Sequence, residues 1–145
     1  LPPQYVAEDS VVERCLVGDG SEIYGEVYNS VIGCGVVIEK GAVVRDSILM
    51  QNVVIREGAV VERGIIAENS VIGARTQLGI GEERPNRVKP SVYAFGLAVV
   101  GEDTVIPPDV RIGKNTAVTG KTLPEDYPDG VLESGETLDK AGDVQ

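Results

Sequence analysis

Residues Val37–Met50 read VIEKGAVVRDSILM, and residues Val54–Ala67 read VIREGAVVERGIIA. The second stretch begins at Val54 where the first begins at Val37, and the two share seven of fourteen positions. Aliphatic anchors recur through and beyond them at Ile32, Ile38, Val44, Leu49, Ile55, Val61, Ile66, Ile72 and Leu78, in steps of 6, 6, 5, 6, 6, 5, 6 and 6. Three successive steps sum to the offset between the two stretches. Every third anchor therefore superposes: Ile32 on Leu49 and Ile66, and Ile38 on Ile55 and Ile72. Short strands that return after three steps describe a three-sided coil. Successive coils then stack as parallel strands about 4.8 Å apart.

Strand side chains alternate, so each anchor and the residue two before it face inward. The residue just before an anchor then faces outward. This makes Val37, Val54 and Val71 one outer ladder and places Val43 and Val60 on another face. Exposed apolar ladders of this kind read as interface candidates. The alternative is that outer sheet positions simply favour branching at Cβ. Gly41 and Gly58 fall at corners, where a positive φ is expected. Charges test the register independently. Across the offset of one coil Glu39 meets Arg56, Lys40 meets Glu57, Arg45 meets Glu62 and Asp46 meets Arg63, all of opposite sign.

The pattern extends to both ends. Upstream, Val6, Val12, Val17 and Ile23 continue it, and the long step from Ile23 to Ile32 suggests a distorted corner near Tyr24–Tyr28. Downstream, Val100, Ile106, Ile112 and Val118 step by six. Residues 79–97 break the repeat and read as a loop thrown out of the coil. The expected organisation is a β-coil over 1–124 with that insertion, then an irregular acidic tail over 125–145. Composition agrees: 24 Val and 11 Ile against 8 Leu, with 18 Gly and 8 Pro, indicate an all-β chain of short strands and tight turns.

Composition also excludes functions. The chain has 145 residues and a formal net charge of −10, which speaks against nucleic acid and anionic membranes. No apolar run approaches the roughly 18–20 residues of a membrane span. There is no His, so no His-dependent triad, His-ligated metal or His-based acyl transfer is possible within it. The triplets at Gly18–Gly20, Gly33–Gly35 and Gly79–Gly81 lead into no predicted helix and read as turns rather than phosphate cradles. Glu82–Glu83 and Asp126–Asp129 lack a cleft that would make them an acid–base pair. Cys15 and Cys34 form no disulfide framework and suit a reducing cytoplasm. No catalytic residue and no metal ligand is expected in this chain. Leu1 is not a natural start, so an excised piece of a longer protein is expected.

Hexapeptide anchors in three-step coils resemble the left-handed parallel β-helix, an exception to the usual right-handed crossover; its handedness comes from the resemblance. Specific stretches narrow it. LPPQYVAEDS at the start, GEVYNSVIGCGVVIEKGAVVRDSILMQN, IIAENSVIGA, KPSVYAFGLAVVGEDTVIP and EDYPDGVLESGETLDKAGD look like the C-terminal β-helix domain of bacterial glucose-1-phosphate adenylyltransferases, in the Gram-positive style. The resemblance covers nearly the whole chain.

It implies a parent enzyme that joins ATP and glucose 1-phosphate into ADP-glucose and pyrophosphate, with Mg²⁺, for glycogen synthesis. Catalysis would belong to an N-terminal nucleotidyltransferase domain absent from this chain, which would itself be catalytically inactive. The resemblance further implies a cytoplasmic homotetramer with β-helix contacts and allosteric control by a phosphorylated small molecule. Arg84, Arg87 and Lys89 in the inserted loop are the candidate effector-binding residues, because guanidinium forks suit phosphate. A loop of three solvated charges is the alternative. Two other functions remain open: a non-catalytic regulatory paralogue, and the β-helix domain of another sugar-1-phosphate nucleotidyltransferase.

Overall fold

The computed structural model of the chain describes residues 1–140. Its strands form three parallel sheets around one core. Face A carries β1 (Tyr5–Val6), β4 (Glu22–Ile23), β7 (Val37–Ile38), β10 (Val54–Ile55), β13 (Val71–Ile72) and β16 (Val105–Ile106). Face B carries β2 (Val11–Glu13), β5 (Glu26–Tyr28), β8 (Val43–Arg45), β11 (Val60–Glu62), β14 (Gln77–Leu78), β17 (Arg111–Ile112) and β19 (Val131–Leu132). Face C carries β3 (Leu16–Val17), β6 (Val31–Ile32), β9 (Ile48–Leu49), β12 (Gly64–Ile66), β15 (Ala98–Val100), β18 (Thr116–Thr119) and β20 (Thr137–Asp139). The chain visits A, B and C in turn, so one circuit is one rung of a parallel β-solenoid.

Register follows the repeat. Val37 pairs with Val54 and Val54 with Val71 on face A, and Val43 pairs with Val60 on face B. The anchors from Ile32 to Leu78 are all buried, as are Ile23, Val100, Ile106, Ile112 and Val118. Two of the four expected charge pairs form, Glu39–Arg56 at 3.0 Å and Arg45–Glu62 at 3.7 Å. Asp46 instead accepts from the Asn29 amide at 2.7 Å, and the Arg63 guanidinium donates to the Phe95 carbonyl at 2.8 Å. Gly41 and Gly58 have φ of 79° and 70°. The corner between faces B and C is equally left-handed without glycine, at Arg14, Asn29, Asp46 and Arg63.

A row of buried hydroxyls joins the rungs just past these corners. Ser30 Oγ donates to the Tyr28 carbonyl at 2.7 Å and accepts the Ser47 N–H at 3.0 Å. Ser47 Oγ donates to the Arg45 carbonyl at 2.7 Å and accepts the Gly64 N–H at 3.0 Å. Ser21, Ser70 and Thr76 make the same two-way link elsewhere in the stack. Where the chain bends inward, backbone groups leave the ladder, and a small hydroxyl satisfies them without occupying core volume. Among the described residues no buried side-chain nitrogen or oxygen lacks a partner.

Three expectations are corrected. Val6, Val12 and Val17 are not buried like the other anchors, because the first rung has a neighbour on one side only. The long step after Ile23 is not a lengthened, distorted corner over Tyr24–Tyr28 but a shortened rung: Val11 pairs with Glu26 and Glu22 with Val37, both 15 apart, and Val27 is the missing buried anchor. The tail is not irregular over 125–140. It forms a last rung in which β19 and β20 pair with β17 and β18. Ile112 meets Leu132 there, three further along the chain than the regular period would place its partner. On face A this rung has a bridge at Lys121 to Val105 and two short 3₁₀ turns at Pro124–Asp126 and Pro128–Gly130. Proline cannot donate to a ladder, so strand is lost where the prolines stand. Residues 141–145 of the expected tail lie outside the described residues.

Tyr127 anchors the last rung, buried, with its hydroxyl 2.9 Å from Thr122 Oγ1. Asp126 accepts the Leu123 N–H and pairs with Lys140 at 3.2 Å, and both hold its carboxyl below the usual range.

This packing makes stability depend on single polar groups. Ser47→Ala leaves the buried Gly64 N–H unpaired and lowers stability by about 1–3 kcal/mol, read from the midpoint of chemical denaturation. Burial pushes the Tyr127 hydroxyl up to about 12. The folded state therefore keeps a proton that the unfolded chain releases near its ordinary value of about 10. Stability is full below that value and falls as pH rises through the interval to about 12. Absorbance titration should show a late tyrosinate that Tyr127→Phe removes.

Candidate functional site

The regular coil is interrupted between β14 and β15, where residues 79–97 leave face B and return on face C. Across the gap Gly64 pairs with Ala98, an offset of two full periods, so the loop interrupts the coil without shifting it. Gly79 opens the loop at φ 84°, with the Glu62 carbonyl packed where a Cβ would stand. The Gly79 and Ile80 N–H groups both donate to the Ile112 carbonyl, so the loop departs across β17. It then runs toward the last rung.

A groove of about 310 Å³ lies between the start of the loop and that rung. Ile80, Glu82 and Arg84 form one wall, Arg111 of β17 lies at the base, and Leu132, Glu133 and Ser134 form the other wall. Among the described residues neither the Arg84 nor the Arg111 guanidinium makes an ion pair or a side-chain hydrogen bond. Two unpaired forks facing one groove can take an oxyanion bidentately. Glu82 and Glu133 stand on the same walls and oppose an anion, so a ligand there must gain more from the two forks than it loses to the two carboxylates. Ser134 Oγ accepts the Lys114 N–H at 3.0 Å, a structural bond, and among the described residues it makes no hydrogen bond to Glu82 or Glu133. The groove is equipped to bind, and its residues supply no nucleophile–base pair.

The three basic loop residues are not brought to one point. Arg84 lines the groove. Arg87 turns to the last rung and pairs with Glu136 at 3.2 Å. Lys89 is exposed, with its carbonyl accepting the Val92 and Tyr93 N–H groups. Motif reading does not single out Arg111, although a polar pair, Gln77 over Arg111, interrupts the outer Val43–Val60 column in the same register. Asn86 and Asn115 escape it too. Both are buried, at 2% and 4% exposure, and they hold the loop in place. Nothing short of the fold marks them, since Asn in a loop ordinarily reads as a turn residue.

The outer ladders also sort differently. Val37, Val54 and Val71 on face A and Val43 and Val60 on face B are half-buried or buried less than the core. The more exposed apolar column is on face C, where Leu16, Val31 and Ile48 stand in register at 72%, 45% and 43% exposure. Ile65 and Val99 continue it, half-buried. Between the first two rungs Tyr5 and Tyr24 pack with ring centroids 5.7 Å apart, while Tyr28 lies on face B under the Arg45 guanidinium. Cys15 and Cys34 are both free thiols. Among the described residues no group of three or more His, Cys, Asp or Glu is placed to hold a metal ion, and no helix is long and apolar enough to cross a membrane.

Residues 3–100 match the family model described as GlmU-like, C-terminal hexapeptide. The chain is 58% identical over 143 residues to a glucose-1-phosphate adenylyltransferase of Lachnospira eligens, covering 99% of this chain and 34% of that protein. It is 55% identical over 136 residues to the enzyme of that name from Thermotoga maritima, covering 94% of this chain and 32% of that one. With that of Acetivibrio thermocellus it shares 37% identity, covering 99% of this chain and 34% of that one. The chain thus spans about a third of the length of these relatives. Among solved structures, the acetyltransferase domain of PglB from Neisseria gonorrhoeae superposes with a TM-score of 0.54 at 18% identity, over 91% of this chain and 55% of that one. That likeness concerns the fold. The hexapeptide-spaced core, the parallel three-faced stack and the match over residues 3–100 agree: the chain belongs to the GlmU-like, C-terminal hexapeptide family, and nearly all of it is similar to a part of glucose-1-phosphate adenylyltransferases.

Proposed function

We propose that this chain is the oligomerising and regulatory domain of an enzyme that makes ADP-glucose and pyrophosphate from ATP and glucose 1-phosphate. The observation that carries the reading is the extent of the identity: 58% over 99% of the chain, including the inserted loop and the last rung. The solenoid by itself would not decide, because an acetyltransferase domain shares it at 18% identity. Acyl transfer of the His-dependent kind has no support here, since the chain holds no His.

In this reading the coil is left-handed, as its hexapeptide resemblance implies, and the chain is catalytically silent. Mg²⁺ and ATP chemistry belongs, in this reading, to an N-terminal nucleotidyltransferase domain outside this chain, as the resemblance implies. The outer ladders on faces A, B and C are the surfaces for that domain and for neighbouring subunits of a cytoplasmic homotetramer. Apolar columns of this length gain when a partner covers them.

The groove between loop and last rung is the effector site of this reading, with a phosphorylated small molecule as its ligand. Arg84 and Arg111 hold the phosphate. Arg87 and Lys89 stand farther along the same loop and raise the local positive potential on a chain of net charge −10.

Two measurements test the proposal. The native subunit carrying this chain should weigh about three times 15.3 kDa and form ADP-glucose from ATP and glucose 1-phosphate. A full-length subunit without that activity would leave a regulatory paralogue or a different nucleotidyltransferase. In the native enzyme, Arg84→Ala or Arg111→Ala should each weaken the response to inorganic phosphate about tenfold or more, as loss of a charge-assisted hydrogen bond requires. Unchanged phosphate curves in both variants would remove the groove from the reading.

A further inference from the structure

Residues 84–89 of the inserted loop are bonded both to the last rung and to Asn115, which stands between β17 and β18 in the rung beneath it. Asn86 is the centre of the contact. Its amide group donates to the Asn115 carbonyl at 2.9 Å and to Thr137 Oγ1 at 3.1 Å, and Thr137 belongs to β20. Its carbonyl oxygen accepts the Val88 and Lys89 N–H groups, both at 2.9 Å. Both ends of a side chain that is 2% exposed are thereby satisfied. On either side, Asn115 Nδ2 donates to the Arg84 carbonyl at 2.8 Å, and the Arg87 N–H donates to the Gly135 carbonyl at 2.9 Å. The Arg87 guanidinium adds its pair with Glu136. Gly135 has φ 83°, and the Pro85 carbonyl fills the place of its Cβ, so only glycine lets the two segments meet.

The last rung needs this contact. β20 has three residues and, among the described residues, pairs with β18 alone. On face A the rung has a single bridge and two 3₁₀ turns in place of a strand. A rung at the end of the stack with strand on two faces only opens at lower cost than the rungs beneath it. The loop is in the same position, since between Ile80 and Leu97 it holds no strand. Each weak segment closes the polar groups of the other. Separating them takes Thr137 from the Asn86 amide, the Arg87 N–H from the Gly135 carbonyl and Glu136 from the Arg87 guanidinium together.

We infer that the inserted loop and the last rung form one clamp, a cooperative unit that opens and closes as a whole independently of the coil beneath. The groove lies between these two segments, so its walls move together. A ligand that favours the docked loop must also favour the formed rung, and a contact that pulls on the rung must act on the loop with the same free energy. This coupling stands on the hydrogen bonds alone and does not depend on what the groove binds.

Amide hydrogen exchange on the full chain tests it by reading each perturbation where it does not touch. In the unmodified chain the Arg87, Val88 and Lys89 amides should share one protection factor with the Lys140 amide, which donates to the Thr119 carbonyl. The Val37 and Val54 amides of the coil should be far more protected. Asn86→Ala, in the loop, should speed exchange at Lys140 and Ala117 at least tenfold. Gly135→Ala, in the rung, should do the same at Val88 and Lys89. Coil amides should not change in either variant. Loop and rung protection differing by more than tenfold in the unmodified chain would overturn the clamp, even if a variant failed to fold. So would a variant that loosens its own segment and leaves the other untouched.

Discussion

In this structure an N–H of one rung donates to a carbonyl of the next, and the whole architecture answers to that bond. The Val37 N–H goes to the Val53 carbonyl at 3.0 Å, Val54 to Ser70 at 3.0 Å and Val71 to Thr104 at 2.9 Å. Strands this short cannot satisfy themselves, so each rung is completed by the one after it. The period of the sequence is therefore the circumference of the coil. Aliphatic side chains must recur at it, or the core would show gaps from one rung to the next. Corners must turn sharply, which selects left-handed backbone at Gly41, Gly58, Asn29 and Asp46 alike. Where the bend takes backbone groups out of reach, Ser and Thr hydroxyls carry the ladder through.

The same bond explains where the chain is free to depart from the period. An insertion costs little if the chain re-enters in register, and the loop at 79–97 does so two periods later. A rung may lengthen at the end of the stack, where no described rung depends on it, and the last rung, from Ile112 to Leu132, exceeds the regular period by three. These two departures lie against each other. The groove with Arg84 and Arg111 sits at their junction, so the most distinctive surface of the molecule is built from its least periodic parts. Charge pairs such as Glu39–Arg56 and Arg45–Glu62 decorate the regular faces, but they are exposed and contribute little beyond marking the register.

Much of the fold is legible in advance because the core repeats. Ile38, Ile55 and Ile72 occupy equivalent places, so their spacing reports the coil three times over. Legibility ends where repetition ends. Val27 escapes the pattern because its rung is short by two, and β19 and β20 escape it because theirs is long by three. The candidate site is legible only in part. Arg84 stands out by its charge and does line the groove. Arg87 stands out equally and pairs with Glu136 instead, a partner 49 residues away. Lys89 has charge but no place in the groove's walls. Arg111 reads as one more strand residue, since its role depends on which segment crosses in front of it.

By itself the sequence determined the three-faced coil, its register, its inward side chains and the position of the insertion. All of these follow from contacts between residues one period apart, and a period leaves its imprint on every rung. Tertiary structure alone decided that the tail would become a rung, that the loop would dock on it, and that Asn86 would be the buried link between them. Those contacts each occur once, and Asn86 meets Thr137 across 51 residues. A single long-range hydrogen bond selects two residues without patterning their neighbours, so it becomes visible only when the chain has closed around it.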